Sequence, residues 1–598
     1  MKTNIKDQST RLAFFEDLYE NAKLAVSERL SELDKYMRQY KGSLEIDGST
    51  TEALTVRNIT YEIIESQISS DIPTSKIDPY TYSERQSKNA HTAERLCSAV
   101  HSHLPFDKMN DLDERYTYIY GGSVWLVEWN NAVRVGNELG GVEVHCISPK
   151  NFIPEPGINE IDDMEYCFLR FTSTRSELMR RYDVSEEDSA LLECEYSYGD
   201  GGEDSDAVSV IICFYKDELG EIGRYVFSGK VELSYISSYY KRKTRICKKC
   251  HLAEGICSCE APTFEKENQL FELVDKDTLS RHGKKSDKSV LVPYFTPKHF
   301  PIVIRKNTST EDSVLGQSDC EFIRPEQQAI NKVESRILQK LLRSGITPVM
   351  PEDASVSLGN SVFGQVIKMK PGESLGQYGK IDTTPNISQD IEEADRLYDH
   401  AKRTLGISDA YQGIDTSLNE SGVAKRLRIS QANSRLESKR RMKYAAYADI
   451  DRLIFEHYLA FADEPREMSY KDAYGEVHSE TFCRYDFLEY NEGLGEFYYD
   501  DAYLFTVDLN DGSEYQREAL WERNLSNLTS GTLGDPASPI TLLRYWQSQE
   551  RAHYPYAREN VEYFQSIVKE KNDHQNNKGE ENAKEEEHSR SVLGIQKS

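Results

Sequence analysis

The stretch from residue 315 to residue 442 constrains the fold most, because it reads as helix, compact insert, helix, polar loop and long helix. Apolar residues recur at spacings of three and four in residues 326–344 and again in residues 388–405, which predicts one amphipathic helix in each window. Gly345 and Gly406 end these helices, because glycine tolerates the left-handed cap conformation. The stripe positions are Ile330, Val333, Ile337, Leu341 and Leu342 in the first helix, and Ile391, Ala394, Tyr398, Ala401 and Leu405 in the second.

Two helices with a separate module between them predict a helical hairpin that is opened at its tip. The insert, residues 346–386, is rich in proline and glycine, and residues 361–370 within it are predicted to hold one or two short strands. A third helix is predicted from about residue 421 to residue 461. Neither stripe is broad enough for full burial within one chain, so the hairpin is suited to packing against copies of itself. The alternative is an ordinary hairpin inside a globular core.

Short motifs in this stretch resemble those of tailed-bacteriophage portal proteins. Residues 315–319 (LGQSD) and 327–332 (QQAINK) are similar to the start of the portal stem helix. Residues 421–424 (SGVA), with the basic residues 439–441 further along the predicted helix, are similar to the segment that follows the portal tunnel loop. The resemblance covers residues 1–570, and it depends on the order and spacing of the motifs rather than on any one of them.

The resemblance implies an α+β fold with the portal modules wing, long-helix stem, clip and crown, to which this chain adds a small zinc-ribbon-like insertion. The implied boundaries are a wing at residues 1–320 with the insertion at 241–262, a stem helix at 321–345, a clip at 346–386, a second stem helix at 387–405, a tunnel loop at 406–420, a long helix at 421–461, returning wing strands at 462–512 and crown helices at 513–571. Residues 572–598 contain few apolar groups and a Glu-Lys run, so they are predicted to be a disordered tail.

The family's function implies a homo-oligomeric ring, usually of twelve copies, at one vertex of the virion capsid. Such a ring is the channel for viral DNA packaging and viral genome ejection, and it docks the terminase large subunit and later the head-tail connector, or adaptor, proteins. Its other partners are the major capsid protein, the scaffold protein and the double-stranded DNA in the channel, and it is present in the host cytoplasm during assembly. The resemblance implies no catalysis by this chain, because the terminase hydrolyses ATP.

The composition is acidic, with 101 Asp and Glu residues against 73 Lys and Arg residues and a formal net charge of -28. A protein that grips DNA through a basic groove has the opposite balance, whereas an acidic channel wall lets DNA pass without holding it. No run approaches the roughly eighteen apolar residues of a membrane span, and residues 1–6 lack the apolar core of a secretory signal. We therefore expect no membrane partner.

Four of the eleven cysteines form two closely spaced pairs, which suits a metal site in a reducing compartment better than a disulfide framework. Cys247, Cys250, Cys257 and Cys259 predict one structural zinc, because zinc favours tetrahedral thiolate ligands, and His251 is able to replace one of them. The site has no obvious open coordination position, which disfavours a hydrolytic zinc. Free thiols or a redox pair are the alternative. The neighbouring basic run suggests nucleic-acid binding, but we favour a staple for an insertion too small to fold alone.

Two polar segments after the second helix are candidates for contact with DNA. The loop at residues 406–420 has no positive charge, so it is suited to touching a phosphate backbone without gripping it, and a plain surface loop is the alternative. Its DNA-facing residues are predicted to be Ser408, Asp409, Tyr411, Gln412, Asp415 and Asn419. The basic residues that follow either face phosphate or pair with acids across a subunit interface, and we favour the interface. They are Lys425, Arg426, Arg428, Arg435, Lys439, Arg440, Arg441 and Lys443.

Elsewhere the periodicity predicts helices and short strands without an internal repeat. The predicted helices cover residues 9–41, 56–69, 83–103, 106–120, 513–525, 538–549 and 555–571. The predicted strands cover residues 123–129, 142–147, 164–171, 207–215, 223–236, 290–294, 302–306, 482–490 and 503–508, with a loop at 151–157. The last two strands are expected to return to the wing sheet.

Two other classes of function stay open. The sequence has no Walker-type phosphate loop, no Gly-x-Ser-x-Gly and no His-Glu-x-x-His, so no catalytic residue is assigned and we expect no enzyme activity. One alternative is an enzyme of nucleic-acid metabolism with a zinc ribbon, such as a nuclease or a terminase-like subunit. The other is a non-portal structural or scaffold protein with a helical hairpin.

Overall fold

A computed structural model describes most of the chain. The described residues are 5, 7–43, 55–81, 83–135, 138–194, 206–247, 249, 264–269, 271–284, 288–311, 313–343, 346–349, 357–361, 364–368, 379–382, 385–407, 436–471, 477–493, 495–507, 514–551, 554 and 557–569. The acidic loop and the tail predicted at residues 196–206 and 572–598 lie outside them, except for residue 206.

The described residues mix helix and sheet, which confirms the predicted α+β class in its general form. The helices are α1 Gln8–Ala25, α2 Ser27–Tyr40, α3 Ile59–Glu65, α4 Glu84–His103, α5 Phe106–Tyr120, α6 Arg175–Tyr182, α7 Glu186–Ser189, α8 Lys276–Arg281, α9 Asp319–Phe322, α10 Arg324–Arg343, α11 Ser388–Leu405, α12 Glu437–Phe461, α13 Glu514–Thr529, α14 Pro539–Arg551 and α15 at residues 557–569.

Most strands pair with a near neighbour in the sequence, and every pairing between described strands is antiparallel. The strands are β1 Lys76–Pro79, β2 Gly122–Val135, β3 Glu138–Ile147, β4 Phe152–Pro154, β5 Tyr166–Thr174, β6 Ala207–Lys216, β7 Ile222–Ser228, β8 Val231–Ile236, β9 Arg242–Cys247, β10 Phe264–Gln269, β11 Phe271–Val274, β12 Val290–Pro293, β13 Ile302–Lys306, β14 Thr308–Thr310, β15 Ser313–Gln317, β16 Ile346–Val349, β17 Ser357–Ser361, β18 Gly364–Lys368, β19 Gly379–Asp382, β20 Arg466–Lys471, β21 Val477–Phe482, β22 Leu488–Asn491, β23 Glu496–Tyr499 and β24 Tyr503–Thr506.

Two sheets organise the body of the protein. A three-stranded sheet has the order β13-β2-β3, and a five-stranded sheet has the order β4-β5-β6-β7-β8. The largest apolar core joins the three-stranded sheet to α4, α5 and α12, with Trp125, Tyr447 and Phe455 fully buried in it. A separate core joins the five-stranded sheet to α1, where Phe15 stacks on Tyr225. These rings remove large apolar areas from water and so dominate the packing energy.

The N-terminal region forms two helices rather than the single helix predicted over residues 9–41. The break falls at Val26, and the halves on either side of it pack on different partners. Phe15 of α1 lies on the five-stranded sheet, whereas Leu33 and Tyr36 of α2 pack against α3 and α5. The apolar pattern continues across Val26, but tertiary packing decides the helix ends. The next predicted helix, 56–69, is shorter than expected, since α3 is Ile59–Glu65.

Three predicted strand boundaries are also wrong. The predicted loop at 151–157 contains β4, which pairs with β5. The predicted strand at 223–236 is a hairpin, because the chain turns at Gly229 with φ +53 and a side chain there would meet the Leu191 carbonyl oxygen at 2.6 Å. The predicted strand at 482–490 is interrupted by a 3-10 turn at Arg484–Phe487.

One of the last two predicted strands returns to the range predicted as the wing, because its partner β1 lies within residues 1–320. The strand β24 pairs with β1, from Lys76↔Thr506 to Pro79↔Tyr503, and not with either of the two larger sheets. The helices α4, α5 and α11 agree closely with the prediction, and α11 has the predicted bounds. The predicted third helix from residue 421 is described only from residue 436, where Leu436 caps α12.

The segment with the first stem-like motif packs directly over a glycine pair. Gly121 ends α5 with φ +89, and a side chain at this position would meet the Gly316 carbonyl oxygen at 2.6 Å. Gly122 begins β2, and a side chain at this position would clash with the carbonyl oxygens of Leu315 and Arg305. Only glycine permits this approach, so the chain that leads into α9 and α10 is held against the start of the three-stranded sheet.

The part of the chain that the structure describes has no helix long and apolar enough to cross a membrane.

Candidate functional site

The helices α10 and α11 form an antiparallel hairpin that carries the insert at its far end. Ile330, Val333 and Ile337 of α10 pack with Ala394 and Ala401 of α11 and exclude water along the seam. The first and last strands of the insert, β16 and β19, pair from Ile346↔Asp382 to Val349↔Gly379, and β17 pairs with β18. The sequence predicted a strand within residues 361–370, where β18 lies, but it did not predict β16, β19 or most of β17.

Ion pairs at both ends of the hairpin define how α10 and α11 are aligned along their axes. Near the insert, Asp390 of α11 accepts from Lys340, and Arg336 Nε lies 3.2 Å from Asp390 Oδ1. At the opposite end, His400 Nδ1 lies 2.8 Å from Glu326 Oε1. The Lys340 ammonium lowers the pKa of Asp390. These pairs stabilise one register of the antiparallel hairpin.

Within the described residues, the segment at residues 55–62 packs along one side of the hairpin. Gln327 of α10 accepts from the Thr60 backbone at 3.0 Å and donates to the Arg57 carbonyl oxygen at 2.7 Å. Ser335 bonds to the backbone of Thr55. Beyond Ser335, three large apolar side chains are substantially exposed, as expected from the narrow stripes: Leu341 (47%), Leu342 (67%) and Ile391 (44%).

A buried cluster of charged side chains lies at the root of the hairpin. Arg305 of β13, which is 1% exposed, donates to Asp113 and lies 2.8 Å from Glu114 Oε1. Trp125 Nε1 also donates to Asp113 at 3.0 Å. Each charge has an opposite charge in hydrogen-bond contact, which buried ions require. The cluster joins α5 to the three-stranded sheet.

The helix α12 contributes Lys443 to this cluster and forms a second buried ion pair through Lys439. Lys443 Nζ lies 3.1 Å from Glu114 Oε1, and Lys439 Nζ lies 2.7 Å from Asp319 Oδ2 at the start of α9. Asp319 also accepts from Gln67 and Asn307, at 2.9 and 2.8 Å. The first two turns of α12 are therefore held to α9 by Lys439 and to α5 by Lys443.

This geometry corrects the interpretation of two residues in the predicted basic face. Lys439 and Lys443 pair with acids of their own chain, so they neither face phosphate nor bridge subunits. Their spacing of four places both on the same side of α12, toward the body. Arg441 lies on the solvent side and pairs with Glu437 at 2.7 Å, one helical turn away. The sequence pattern could not show this, because the acids come from distant segments.

Burial and charge oppose each other in this cluster. Burial favours the neutral form of Glu114, but the charges of Arg305 and Lys443 outweigh it and lower the pKa of Glu114. Burial lowers the pKa of Lys443, and Glu114 partly offsets that effect. The Glu114 carboxylate is therefore held in its charged form by its partners.

The predicted DNA-facing loop lies almost entirely outside the described residues. Gly406 ends α11 in the left-handed conformation with φ +76, and Ile407 is buried beside α10. The following predicted contacts all lie outside the described residues: Ser408, Asp409, Tyr411, Gln412, Asp415 and Asn419, and the basic Lys425, Arg426, Arg428 and Arg435.

One of the four predicted zinc ligands is described. Cys247 ends β9, is buried and faces Phe264 of β10 in the strand register. Cys250, Cys257 and Cys259 lie outside the described residues, as does His251. Within the described ranges no group of three or more His, Cys, Asp or Glu side chains is arranged to hold a metal ion. Zinc therefore stays a prediction.

Sequence reasoning missed a polar cavity of about 140 Å³ between β13, α12 and the turn at Ile161–Asp163. His299 Nδ1 lies 3.1 Å from Asp162 Oδ1, and this hydrogen bond raises the pKa of His299. Arg452 and Asp449 of α12 line the opposite wall, 3.3 Å apart. These residues belong to no motif and come from three separate segments, so no local signal could have identified the cavity.

No known protein family matches this chain, and no curated protein sequence matches it.

Proposed function

We propose that this chain is the portal protein of a tailed bacteriophage. The observation that carries the proposal is the order of the elements: the hairpin of α10 and α11 with a two-hairpin insert at its far end, followed by residues 408–435 and by the long helix α12. This order is similar to stem helix, clip, stem helix, tunnel loop and long helix in the portal family. The wing, clip and crown remain part of the proposal.

In this proposal, copies of the chain form a homo-oligomeric ring, usually of twelve, at one vertex of the capsid in the virion. The hairpins surround the channel, the insert docks the terminase large subunit and later the head-tail adaptor, and the loop at residues 406–420 contacts double-stranded DNA during packaging and ejection. The body meets the major capsid and scaffold proteins. The role is mechanical, and the terminase supplies ATP hydrolysis.

Two features of the described residues support this role. The hairpin seam is held by apolar packing and by ion pairs at both ends, so the element is suited to carrying load. The chain is strongly acidic, with a net charge of -28, and an acidic channel wall repels DNA rather than binding it.

The deciding experiment is gel filtration followed by negative-stain electron microscopy of the full chain. The expected result is rings with a central hole and radial projections. A monomer in light scattering at every concentration, with or without scaffold protein, would contradict the proposal. A metal-dependent nuclease assay on the same fraction tests the enzyme alternative, which predicts turnover that the portal proposal does not.

A further inference from the structure

We propose that Cys483 is a nucleophilic thiol, that His282 is its base, and that hydrogen peroxide oxidises this thiol to a sulfenic acid. Asp486 orients the base. The three side chains lie beside the largest apolar core and none of them belongs to the hairpin. The site is therefore independent of the proposed ring.

One short turn carries two of the three side chains. Cys483 directly precedes the 3-10 turn Arg484–Phe487, and the Asp486 N–H donates to the Cys483 carbonyl oxygen at 3.0 Å. Such a turn brings positions three apart to the same side, so Cys483 and Asp486 reach the same neighbour. Phe482 and Phe487 are fully buried in the largest core and hold the turn in place.

His282 lies between these two side chains. Its Nδ1 lies 2.6 Å from Asp486 Oδ1, and its Nε2 lies 3.6 Å from Cys483 Sγ. A carboxylate only accepts hydrogen bonds, so Nδ1 of the neutral ring carries the proton and Nε2 accepts from the thiol. The order of nucleophile, base and orienting acid is the one that activates a weak nucleophile.

Two side chains of α4 hold the backbone around the base and the acid. Arg85 donates to the carbonyl oxygen of Asp486 at 3.0 Å and to that of His282 at 3.4 Å. Asn89 also donates to the Asp486 carbonyl oxygen, at 3.0 Å. Both segments that contribute to the site are thus tied to one helix, which keeps the imidazole in contact with the thiol.

The thiol needs a base in order to react. Burial raises the pKa of Cys483 to about 11, because the thiolate loses its hydration, and the Tyr485 backbone N–H offsets part of this effect. The sulfur is therefore protonated at neutral pH. Because the thiolate is the nucleophile, a group in contact with the sulfur has to take the proton as the new bond forms.

Cys97 is a matched thiol without such a base. It is 3% exposed, compared with 5% for Cys483, and its Sγ also lies 3.6 Å from an acceptor. That acceptor is the Asp451 carbonyl oxygen, which accepts a hydrogen bond but does not take the proton. A difference in reactivity between the two thiols therefore reports on His282 rather than on burial.

The burial of the Cys483 sulfur selects a small reactant. Hydrogen peroxide is small and uncharged, whereas an acyl substrate with its leaving group needs an open pocket. The sulfur attacks one peroxide oxygen, so that the S–O bond forms and the O–O bond breaks. His282 takes the thiol proton and passes it to the leaving hydroxide, which departs as water. The sulfur is oxidised by two electrons, and the peroxide is reduced.

Oxidation of the full chain by hydrogen peroxide tests the proposal. Dimedone traps the sulfenic acid, and peptide mass spectrometry gives one rate constant for Cys483 and one for Cys97. In H282Q the amide accepts a hydrogen bond but does not take a proton. In D486N the amide donates to Nδ1, which moves the ring proton to Nε2, and D486E keeps the carboxylate. The control is H145Q, because the His145 side chain is 54% exposed on β3.

We expect Cys483 of the wild type to be oxidised about a hundredfold faster than Cys97, at the low end of what a general base contributes. H282Q and D486N are expected to slow Cys483 at least about tenfold, D486E to restore most of the rate, and H145Q to leave it unchanged. Circular dichroism shows whether each variant is folded, and the wild-type ratio stays decisive if one is not. Equal rates at the two cysteines of the wild type, or a rate at Cys483 that folded H282Q does not lower, would overturn the proposal.

Discussion

Lys443 Nζ lies 3.1 Å from Glu114 Oε1, and less than one tenth of either residue is exposed. This contact joins the second turn of α12 to α5, on which the three-stranded sheet also packs. The same carboxylate accepts from Arg305, so its removal or that of a partner leaves a buried charge with incomplete compensation.

The first prediction concerns this buried pair. Replacing Lys443 with Met removes one of the two charges that compensate Glu114, so K443M is expected to lower the free energy of unfolding by about 3 kcal/mol. The matched control is R441M, two residues earlier on the same helix, which removes an exposed pair worth less than about 1 kcal/mol. Urea unfolding at neutral pH measures both. Equal effects of the two substitutions would show that the buried pair does not hold α12.

The second prediction concerns pH. Burial raises the pKa of Glu456 from 4.5 to about 7, and its Oε2 has no hydrogen-bond partner among the described residues. The folded state therefore binds this proton more tightly than the unfolded state. The stability that Glu456 contributes is full below about pH 4.5 and is lost as the pH rises through about 7.

The variant E456Q keeps the neutral form at every pH. We expect its free energy of unfolding to exceed that of the wild type by about 2 kcal/mol at pH 8 and to differ little from it at pH 4.5. The control is E20Q, because the Glu20 side chain is 61% exposed. Thermal unfolding from pH 4.5 to pH 8 gives the comparison. A difference between E456Q and the wild type that does not change with pH would count against this assignment.

The third prediction concerns the predicted zinc. The purified chain is expected to contain one zinc per copy, and C250S or C257S is expected to lose it because three thiolates bind zinc more weakly than four. The control is C97S, because Cys97 is a fully buried thiol whose pKa is raised by burial and by Asp451, in the core next to α12. Native mass spectrometry before and after chelation measures the metal. Zinc retained by both cysteine variants, or absent from the wild type, would reject the four-cysteine site.

The sequence predicted those parts of the fold that depend on local pattern. The bounds of α11 follow from Gly406 and from its charges, with Asp390 in the first turn and Lys402 and Arg403 in the last, and α5 ends at a left-handed glycine too, Gly121. The break at Val26 was missed, because the apolar repeat runs through it and only the positions of α5 and the five-stranded sheet require two helices. Local periodicity carries no information about such partners.

The candidate site also contains one part that the sequence predicted and one part that it did not. The hairpin was predictable because both stripes are continuous in the sequence. The roles of Lys439 and Lys443 were not, since Asp319 and Glu114 lie more than one hundred residues away and no spacing links them to α12. The burial of Arg305 was not predictable either. Arginine is usually exposed, and the acids that pair with Arg305 are not identifiable from the sequence around it.

The short helix α9 lies between the two ends of the segment 408–435. Ile407, the last described residue before that segment, packs in the cluster that contains Ile323, directly after α9. Lys439, the third residue of α12 on the far side, pairs with Asp319 at the first position of α9. The segment thus leaves and rejoins the body at one anchorage. A pull on residues 408–435 from either end therefore reaches α9 and Ile323, which lead directly into α10, so one short stretch of chain bears the force on that segment and on the hairpin.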